Sequence, residues 1–188
     1  MDQRQLMLLI AVIAAVVVVA VIAFILTRKR RSQQLRQRFG PEYDRVLKKE
    51  GEVRRAEGVL EMRAKRREKF TLRPLPEQSR LDFAERWRAV QAQFVDEPAG
   101  SVTQADALVN ELMAARGYPM SDFEQRAADI SVDHPGVVEN YRTAHAIALR
   151  HQSGQASTED LRKAMVHYRS LFEELLGQPA ERKEERRA

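Results

Sequence analysis

Residues 6–26, LMLLIAVIAAVVVVAVIAFIL, form an uninterrupted run of 21 apolar residues. At about 1.5 Å of rise per residue, a helix of this length covers about 31 Å, close to the thickness of a bilayer's hydrocarbon core, about 30 Å. In lipid, every backbone N–H needs a partner within its own segment, and a helix supplies one. The run therefore predicts an N-terminal transmembrane helix, around which the rest of the chain is organised.

A cleaved signal peptide is the alternative interpretation of this run. It would show a basic N-terminal region, a shorter apolar core and a cleavage site made of small residues. Only Arg4 precedes the run, where it is opposed by Asp2, and the run ends in large apolar residues. We therefore expect residues 1–27 to be retained as a transmembrane anchor.

Basic residues are concentrated on the C-terminal side of the run. Arg4 is the basic residue of the N-terminal flank, whereas six follow the run closely: Arg28, Lys29, Arg30, Arg31, Arg36 and Arg38. Because Lys and Arg near a span stay on the cytoplasmic side, the sequence predicts a single-pass inner-membrane protein with its N-terminus outside and residues 28–188 in the cytoplasm. The six residues are then expected to contact anionic head groups at the membrane surface.

The charge of the chain changes sign after the predicted span. Residues 28–70 contain 16 Lys and Arg against 7 Asp and Glu, whereas residues 71–176 contain 11 against 16. Because the basic part lies next to the span, it suits a lipid surface better than a nucleic acid. The chain contains no cysteine, which excludes disulfides, zinc thiolate sites and cysteine nucleophiles.

Residues 28–70 predict a long charged juxtamembrane helix. Pro41 suits the first turn of a helical stalk that would be about 45 Å long if continuous. Val46, Val53 and Leu60 recur every seven residues, but the companion heptad position is mostly polar. A coiled coil needs both positions apolar, so we expect a solvated stalk that forms at most a weak homodimer.

Residues 71–176 predict a compact bundle of about five helices. Five apolar stripes of period 3.6 occur, within residues 83–94, 105–113, 123–130, 137–148 and 161–176. Four serines are followed three residues later by an acid or amide, as in a capping box: Ser79, Ser101, Ser121 and Ser157. The sequence as a whole therefore predicts an all-α fold, followed by a charged, disordered tail over residues 177–188.

The sequence contains no P-loop, no dinucleotide-binding fingerprint, no nucleophile elbow and no Glu-x-x-His pair. We therefore predict no cofactor, no metal and no enzymatic activity. Asp133 beside His134 is a candidate for acid–base chemistry, and His145 on an apolar stripe is a candidate ligand or catalyst. The structural interpretation places His134 at a helix entry before Pro135, and makes His145 a hydrogen-bonded core residue.

The basic stripe of the stalk is a candidate for binding phosphate. It consists of seven residues: Arg54, Arg55, Arg63, Lys65, Arg66, Arg67 and Lys69. Binding of single-stranded nucleic acid usually adds aromatic residues for base stacking, and Phe70 is the aromatic residue nearby. Nucleic acid is therefore the less favoured partner.

Five strings carry a resemblance to a known family. They are FGPEYDR at 39–45, FVDEP at 94–98, RGYP at 116–119, SVDHP at 131–135 and VHYRSLF at 166–172. Together they resemble an uncharacterised family of bacterial single-pass, membrane-anchored helical proteins, often labelled hypothetical or secreted. The resemblance implies a bacterial inner membrane, and it implies no activity, cofactor or functional residue.

These observations favour a membrane-tethered helical interaction or scaffold module that offers an acidic bundle to a cytoplasmic protein partner. Two alternatives belong to other functional classes. One is a small-molecule enzyme that uses Asp133, His134 and His145. The other is a salt-sensitive nucleic-acid tether through the basic stalk.

Overall fold

A computed structural model of the chain describes residues 3–177, without the side chains of residues 3–12, 14 and 15. The secondary structure in this range is helical throughout, in the order α1 (Gln3–Phe39), α2 (Pro41–Glu50), α3 (Val53–Arg67), α4 (Glu77–Gln93), α5 (Pro98–Ala115), α6 (Phe123–Asp133), α7 (Val138–Gln152) and α8 (Thr158–Leu176). The prediction of an all-α fold is confirmed for these residues. The predicted disordered tail, residues 177–188, lies outside them apart from Gly177.

The first helix contains the apolar run. α1 has 37 residues and is therefore about 55 Å long. Among the residues that the structure describes, no helix has a segment both long enough and apolar enough to cross a membrane. Part of the run, residues 6–12, 14 and 15, lies outside the described side chains, and the transmembrane helix stays a prediction.

The C-terminal five helices, α4 to α8, cover the five apolar stripes and bury them in one core. α8 is the central element, since it packs against α4, α5 and α7. Its buried side chains recur at helical spacing: Leu161, Met165, Tyr168, Phe172 and Leu175. Trp87 of α4 stacks on Phe172 with ring centroids 4.6 Å apart. One helix thus supplies an apolar face to three neighbours, which is how a bundle of this size closes its core.

Three of the four predicted capping boxes were wrong. Ser157 does cap α8, since its hydroxyl accepts a hydrogen bond from the Asp160 N–H at 3.1 Å and the Asp160 carboxylate accepts one from the Ser157 N–H. Ser79 and Ser101 lie inside helices that begin one turn earlier, after Pro76 and at Pro98. The cap of α6 is Asp122 rather than its neighbour Ser121.

The prediction of a continuous, solvated stalk was also wrong. Gly51 adopts a left-handed conformation with φ +73° and ends α2, and α3 begins at Val53. α2 and α3 pack on each other and on the end of α1, and we call residues 28–67 the three-helix unit. It has its own core, formed by Leu35, Phe39, Tyr43, Val46, Ala56, Leu60 and Ala64. Val46 and Leu60 are 1% and 0% exposed, because they pack in this core.

Two glycines test how local backbone conformation contributes to this fold. Gly117 follows α5 with φ +91°, and a Cβ added there would lie 2.7 Å from the Thr71 carbonyl oxygen. Gly58 lies inside α3, and a Cβ there would meet no atom within 4 Å. We expect Gly117→Ala to lower the free energy of unfolding by more than about 1 kcal/mol, and Gly58→Ala to raise it by about 0.5–1 kcal/mol.

Denaturant unfolding of the full-length chain in detergent, followed by circular dichroism, measures both changes. Each variant adds the same methyl group, so each serves as the control for the other. Equal stability of the two variants would contradict the backbone conformations described here.

Candidate functional site

Asp133 and His134, the candidate acid–base pair, have different partners. Asp133 ends α6, where it forms an ion pair with Arg67 of α3 and accepts a hydrogen bond from the Tyr118 hydroxyl at 3.3 Å. Burial, followed by the charge of Asp133, raises the pKa of Tyr118, so this hydroxyl stays protonated. The Nδ1 atom of His134 lies 3.0 Å from a carboxylate oxygen of Glu174 in α8. The two neighbouring side chains therefore do not act on one another.

The prediction that His134 and Pro135 begin a helix was wrong. The His134 N–H donates to the Ile130 carbonyl oxygen at 2.8 Å and closes the last turn of α6. α7 begins three residues after Pro135, at Val138. SVDHP is thus a helix exit rather than a helix entry.

His145 lies in α7, in surroundings different from those of His134. Its ring stacks on Phe123 of α6, with centroids 3.7 Å apart and planes 12° apart. Burial lowers the pKa of His145, which favours the neutral ring. It borders a cavity of about 80 Å³ together with Asp106 and His151, and His134 does not line that cavity. The three candidate residues are therefore not brought together into one site.

The most unusual polar group of the described structure is Glu42, in the first turn of α2. Its carboxylate is 2% exposed and accepts hydrogen bonds from three arginines. Arg45 of the same helix donates at 2.9 and 3.1 Å, and Arg63 of α3 donates at 2.6 Å. Arg142 of α7 donates through both terminal nitrogens, at 2.7 and 2.9 Å. We call these four residues the Glu42 junction.

The Glu42 junction keeps its carboxylate ionised in a buried position. Burial alone would raise the pKa of Glu42, but the hydrogen bonds from Arg45, Arg142 and Arg63 outweigh it and lower the pKa to about 2. One negative charge is surrounded by three positive ones, and the arginine side chains remain 12–32% exposed. The junction therefore ties α2, α3 and α7 together through one ionised group.

Three further contacts continue this interface along α3 and α6. The Arg63 guanidinium donates to the Ser131 hydroxyl at 3.2 Å, and Arg66 donates to Asp129, which is 1% exposed, at 2.9 Å. The third contact is the ion pair of Arg67 and Asp133. Val132 of α6 is buried in the core of the three-helix unit. The basic face of α3 is thus directed at an acidic face of the bundle.

Four of the seven residues in the predicted phosphate-binding stripe are therefore paired within the chain. Arg63, Arg66 and Arg67 contact α6, and a fourth residue, Arg55, pairs with Glu52 at 3.3 Å. A nucleic-acid backbone would have to displace these partners before it could use the stripe.

The sequence alone did not indicate that Glu42, Arg45 and Arg142 contact one another. Glu42 and Arg142 are 100 residues apart, and no local pattern connects them. The FGPEYDR string at 39–45, which includes Glu42 and Arg45, is the one sequence feature that marked this region.

The six predicted membrane-surface residues are all exposed on α1. Arg28 and Arg31 line a groove between α1 and α3, and Arg31 also forms an ion pair with Glu61. Lys29 and Arg36 line a second cavity beside the same helices, and the Arg36 guanidinium lies 4.7 Å from the centroid of the Tyr43 ring. The six residues are Arg28, Lys29, Arg30, Arg31, Arg36 and Arg38. Their basic charge lies on the surface of the segment that follows the apolar run.

Comparison of the chain with protein-family models, with curated proteins and with solved structures finds no match. Within residues 3–177 as described, no group of three or more His, Asp or Glu side chains is placed to hold a metal ion.

Replacement of Glu42 tests the junction. We expect Glu42→Gln to lower the free energy of unfolding by about 3 kcal/mol at pH 7, because it removes the buried negative charge that three partly buried arginines share. Since the pKa of Glu42 falls from 4.5 to about 2 on folding, its stabilisation is complete above about pH 4.5 and is lost as the pH falls toward 2. The difference between wild type and variant should therefore shrink over that range.

Urea unfolding of the full-length chain between pH 2 and pH 7 measures this difference. Glu52→Gln is the matched control, because Glu52 forms an exposed pair with Arg55 and should change stability by less than about 1 kcal/mol. A difference for Glu42→Gln that stays constant from pH 7 to pH 2 would rule out an ionised Glu42 as its source.

Proposed function

We propose that this chain is a single-pass, membrane-tethered helical interaction module of a bacterial inner membrane, of the family that its five strings resemble. It holds an acidic helical bundle at the cytoplasmic face for a protein partner. The observation that carries this proposal is the Glu42 junction. It fixes the bundle to the segment that follows the apolar run, so the bundle has a defined position relative to α1.

The exposure of α1 supports the anchor. Large apolar side chains between residues 16 and 26 are 51–66% exposed, and the contacts of α1 with other helices are made to α2, α3 and α6. A contiguous exposed apolar surface marks a site that contacts a membrane or another protein. A bilayer is the environment that covers all sides of such a helix at once.

The position of the three-helix unit supports a bundle held close to the membrane. The predicted stalk would have carried the bundle about 45 Å away from the bilayer. Instead, α2 turns back along α1, and α3 carries the contacts to α6. The bundle is thereby attached beside the C-terminal half of α1.

The surface charge of the bundle supports a basic protein partner. Asp129 and Asp133 are used by the arginines of α3, but other acidic side chains remain well exposed. Those whose side chains are more than half exposed include Glu77, Asp82, Glu111 and Glu139, each of which also pairs with an arginine of the bundle at 2.5–3.9 Å. Complementary charge of this kind increases the rate of association and selects among partners.

Catalysis and nucleic-acid tethering have less support. Asp133, His134 and His145 are separated, and each has a structural partner. The basic stripe of α3 is partly neutralised by α6. We therefore put forward neither alternative.

The topology can be measured directly, because the chain contains no cysteine and single cysteines can be introduced without background. We expect a membrane-impermeant maleimide to label Asp2→Cys on intact bacterial spheroplasts, and to label Ala188→Cys only after lysis. The protein should also stay in the membrane fraction at high pH. Labelling of Ala188→Cys before lysis would reverse the orientation and exclude a cytoplasmic partner.

The partner surface can be located by photocrosslinking in cells. A photoreactive residue in place of Glu77, Glu111 or Glu139 of the full-length chain should give a crosslink to a protein with a basic surface. The same residue in place of Arg55, which is exposed on the three-helix unit, is the control. No crosslinked protein at any acidic position, or equal yield at the control, would count against the interaction module.

A further inference from the structure

We propose that the groove between α1 and α3 is a binding site for the phosphate head group of an anionic phospholipid. This inference rests on the proposed membrane anchor. It adds to that function a specific lipid site, distinct from general attraction between basic residues and the bilayer.

The groove exists because α1 and α3 lie side by side in the same direction. Arg31 of α1 pairs with Glu61 of α3, and earlier residues of both helices border one cavity of about 580 Å³. Its lining includes Phe24, Arg28 and Arg31 from α1 and Arg54, Glu57 and Gly58 from α3. The N-terminal end of α3 therefore lies level with the end of the apolar run.

Lipid phosphates are expected at the level where the apolar run ends. The apolar run ends at residue 26, and Phe24 and Arg28 lie on either side of that end. Along a helix they are separated by about 6 Å, or one turn. Phe24 is thus placed toward the hydrocarbon, whereas Arg28 and Arg54 are placed among the head groups.

The charges of the groove favour an anion. Three arginines line it against one acid, Glu57. Glu57 is 8% exposed and accepts a hydrogen bond from the Tyr43 hydroxyl at 3.1 Å, while Arg31 is paired with Glu61. Arg28 and Arg54, one from each wall, are the residues we assign to the phosphate, since guanidinium groups bind phosphate oxygens with paired N–H donors.

Gly58 leaves space for a ligand in the groove. It lies in the interior of α3, where glycine is a poor helix former, and it forms part of the wall of the groove. A Cβ at this position would meet no protein atom within 4 Å. A side chain at this position would therefore begin in the open space of the groove.

A surface next to the groove, which shares Phe24, Arg28 and Glu57 with it, also resembles a lipid-facing surface. A second cavity, of about 520 Å³, has apolar residues Ile25 and Val53 and basic residues Lys29 and Arg36 in its lining. Val53 is 42% exposed at the turn between α2 and α3. An apolar side chain at this turn, level with Ile25, suits insertion at the edge of the hydrocarbon.

Native mass spectrometry of the full-length protein in mild detergent tests the site. Wild type should retain phosphatidylglycerol in preference to phosphatidylcholine. Arg54→Gln should weaken phosphatidylglycerol binding about fivefold, the effect of one basic residue near a lipid phosphate. Gly58→Leu should weaken it too, although it leaves the charge unchanged.

Arg55→Gln is the matched control. It removes the same charge from the neighbouring residue, whose side chain is 73% exposed and paired with Glu52, and it should leave phosphatidylglycerol binding unchanged. Equal binding by Arg54→Gln and Arg55→Gln would overturn the site. Displacement of the lipid by millimolar inorganic phosphate would also overturn it, because the groove would then bind a free anion.

Flotation with vesicles of pure phosphatidylcholine separates this inference from the proposed function. If the wild-type chain does not float with them, the anchor is rejected, and the lipid site with it. If wild type and all three variants float but bind phosphatidylglycerol equally well, the anchor is supported and the lipid site alone is rejected.

Discussion

The buried carboxylate of Glu42 constrains the whole arrangement. A carboxylate removed from water is strongly destabilising unless its charge is matched and its oxygens are hydrogen-bonded. In this protein the charge of Glu42 is balanced by Arg45 from the same helix, Arg63 from α3 and Arg142 from α7. Each arginine reaches Glu42 only when its helix is in place, so the group fixes the register of α2 and α3 and the docking of the bundle at once. Apolar contacts supply stability without this directional requirement.

The helices of the bundle were predictable because each contains a complete helical pattern within its own sequence. An apolar stripe of period 3.6 is a local property, and the stripe that ends in Phe172 and Leu175 is complete within α8. The three-helix unit was not predictable in the same way. Val46 and Leu60 have the spacing of one of the two apolar positions of a coiled coil. In the structure they pack instead in one core with Leu35 and Phe39 of α1 and Val132 of α6. Long-range packing of this kind leaves no periodic signal in the segment itself.

The candidate site residues show a second limit of the sequence. Asp133 and His134 are adjacent in the chain, and adjacency suggested that they could share a proton. They lie at the end of α6, where successive side chains point in different directions, so Asp133 reaches Arg67 and His134 reaches Glu174. For His145 the sequence indicated a hydrogen-bonded core residue, but its ring is only partly buried and stacks on Phe123 of another helix. The residue types were visible in the sequence, whereas their partners depended on the tertiary fold.

Residues 28–70 are basic and residues 71–176 are acidic, and this difference affects both the packing and the surface of the protein. Between α3 and α6 the opposite charges face each other, where Arg66 binds Asp129 and Arg67 binds Asp133. That contact holds the three-helix unit against the bundle and removes part of each charge from the surface. What remains is basic at the end of α3 that lies beside residues 24–28, whereas the exposed acids Asp82, Glu111 and Glu139 pair with Arg86 and Arg142. The internal pairing therefore leaves basic groups at the level proposed for lipid head groups, while these three exposed acids of the bundle surface have arginines as neighbours.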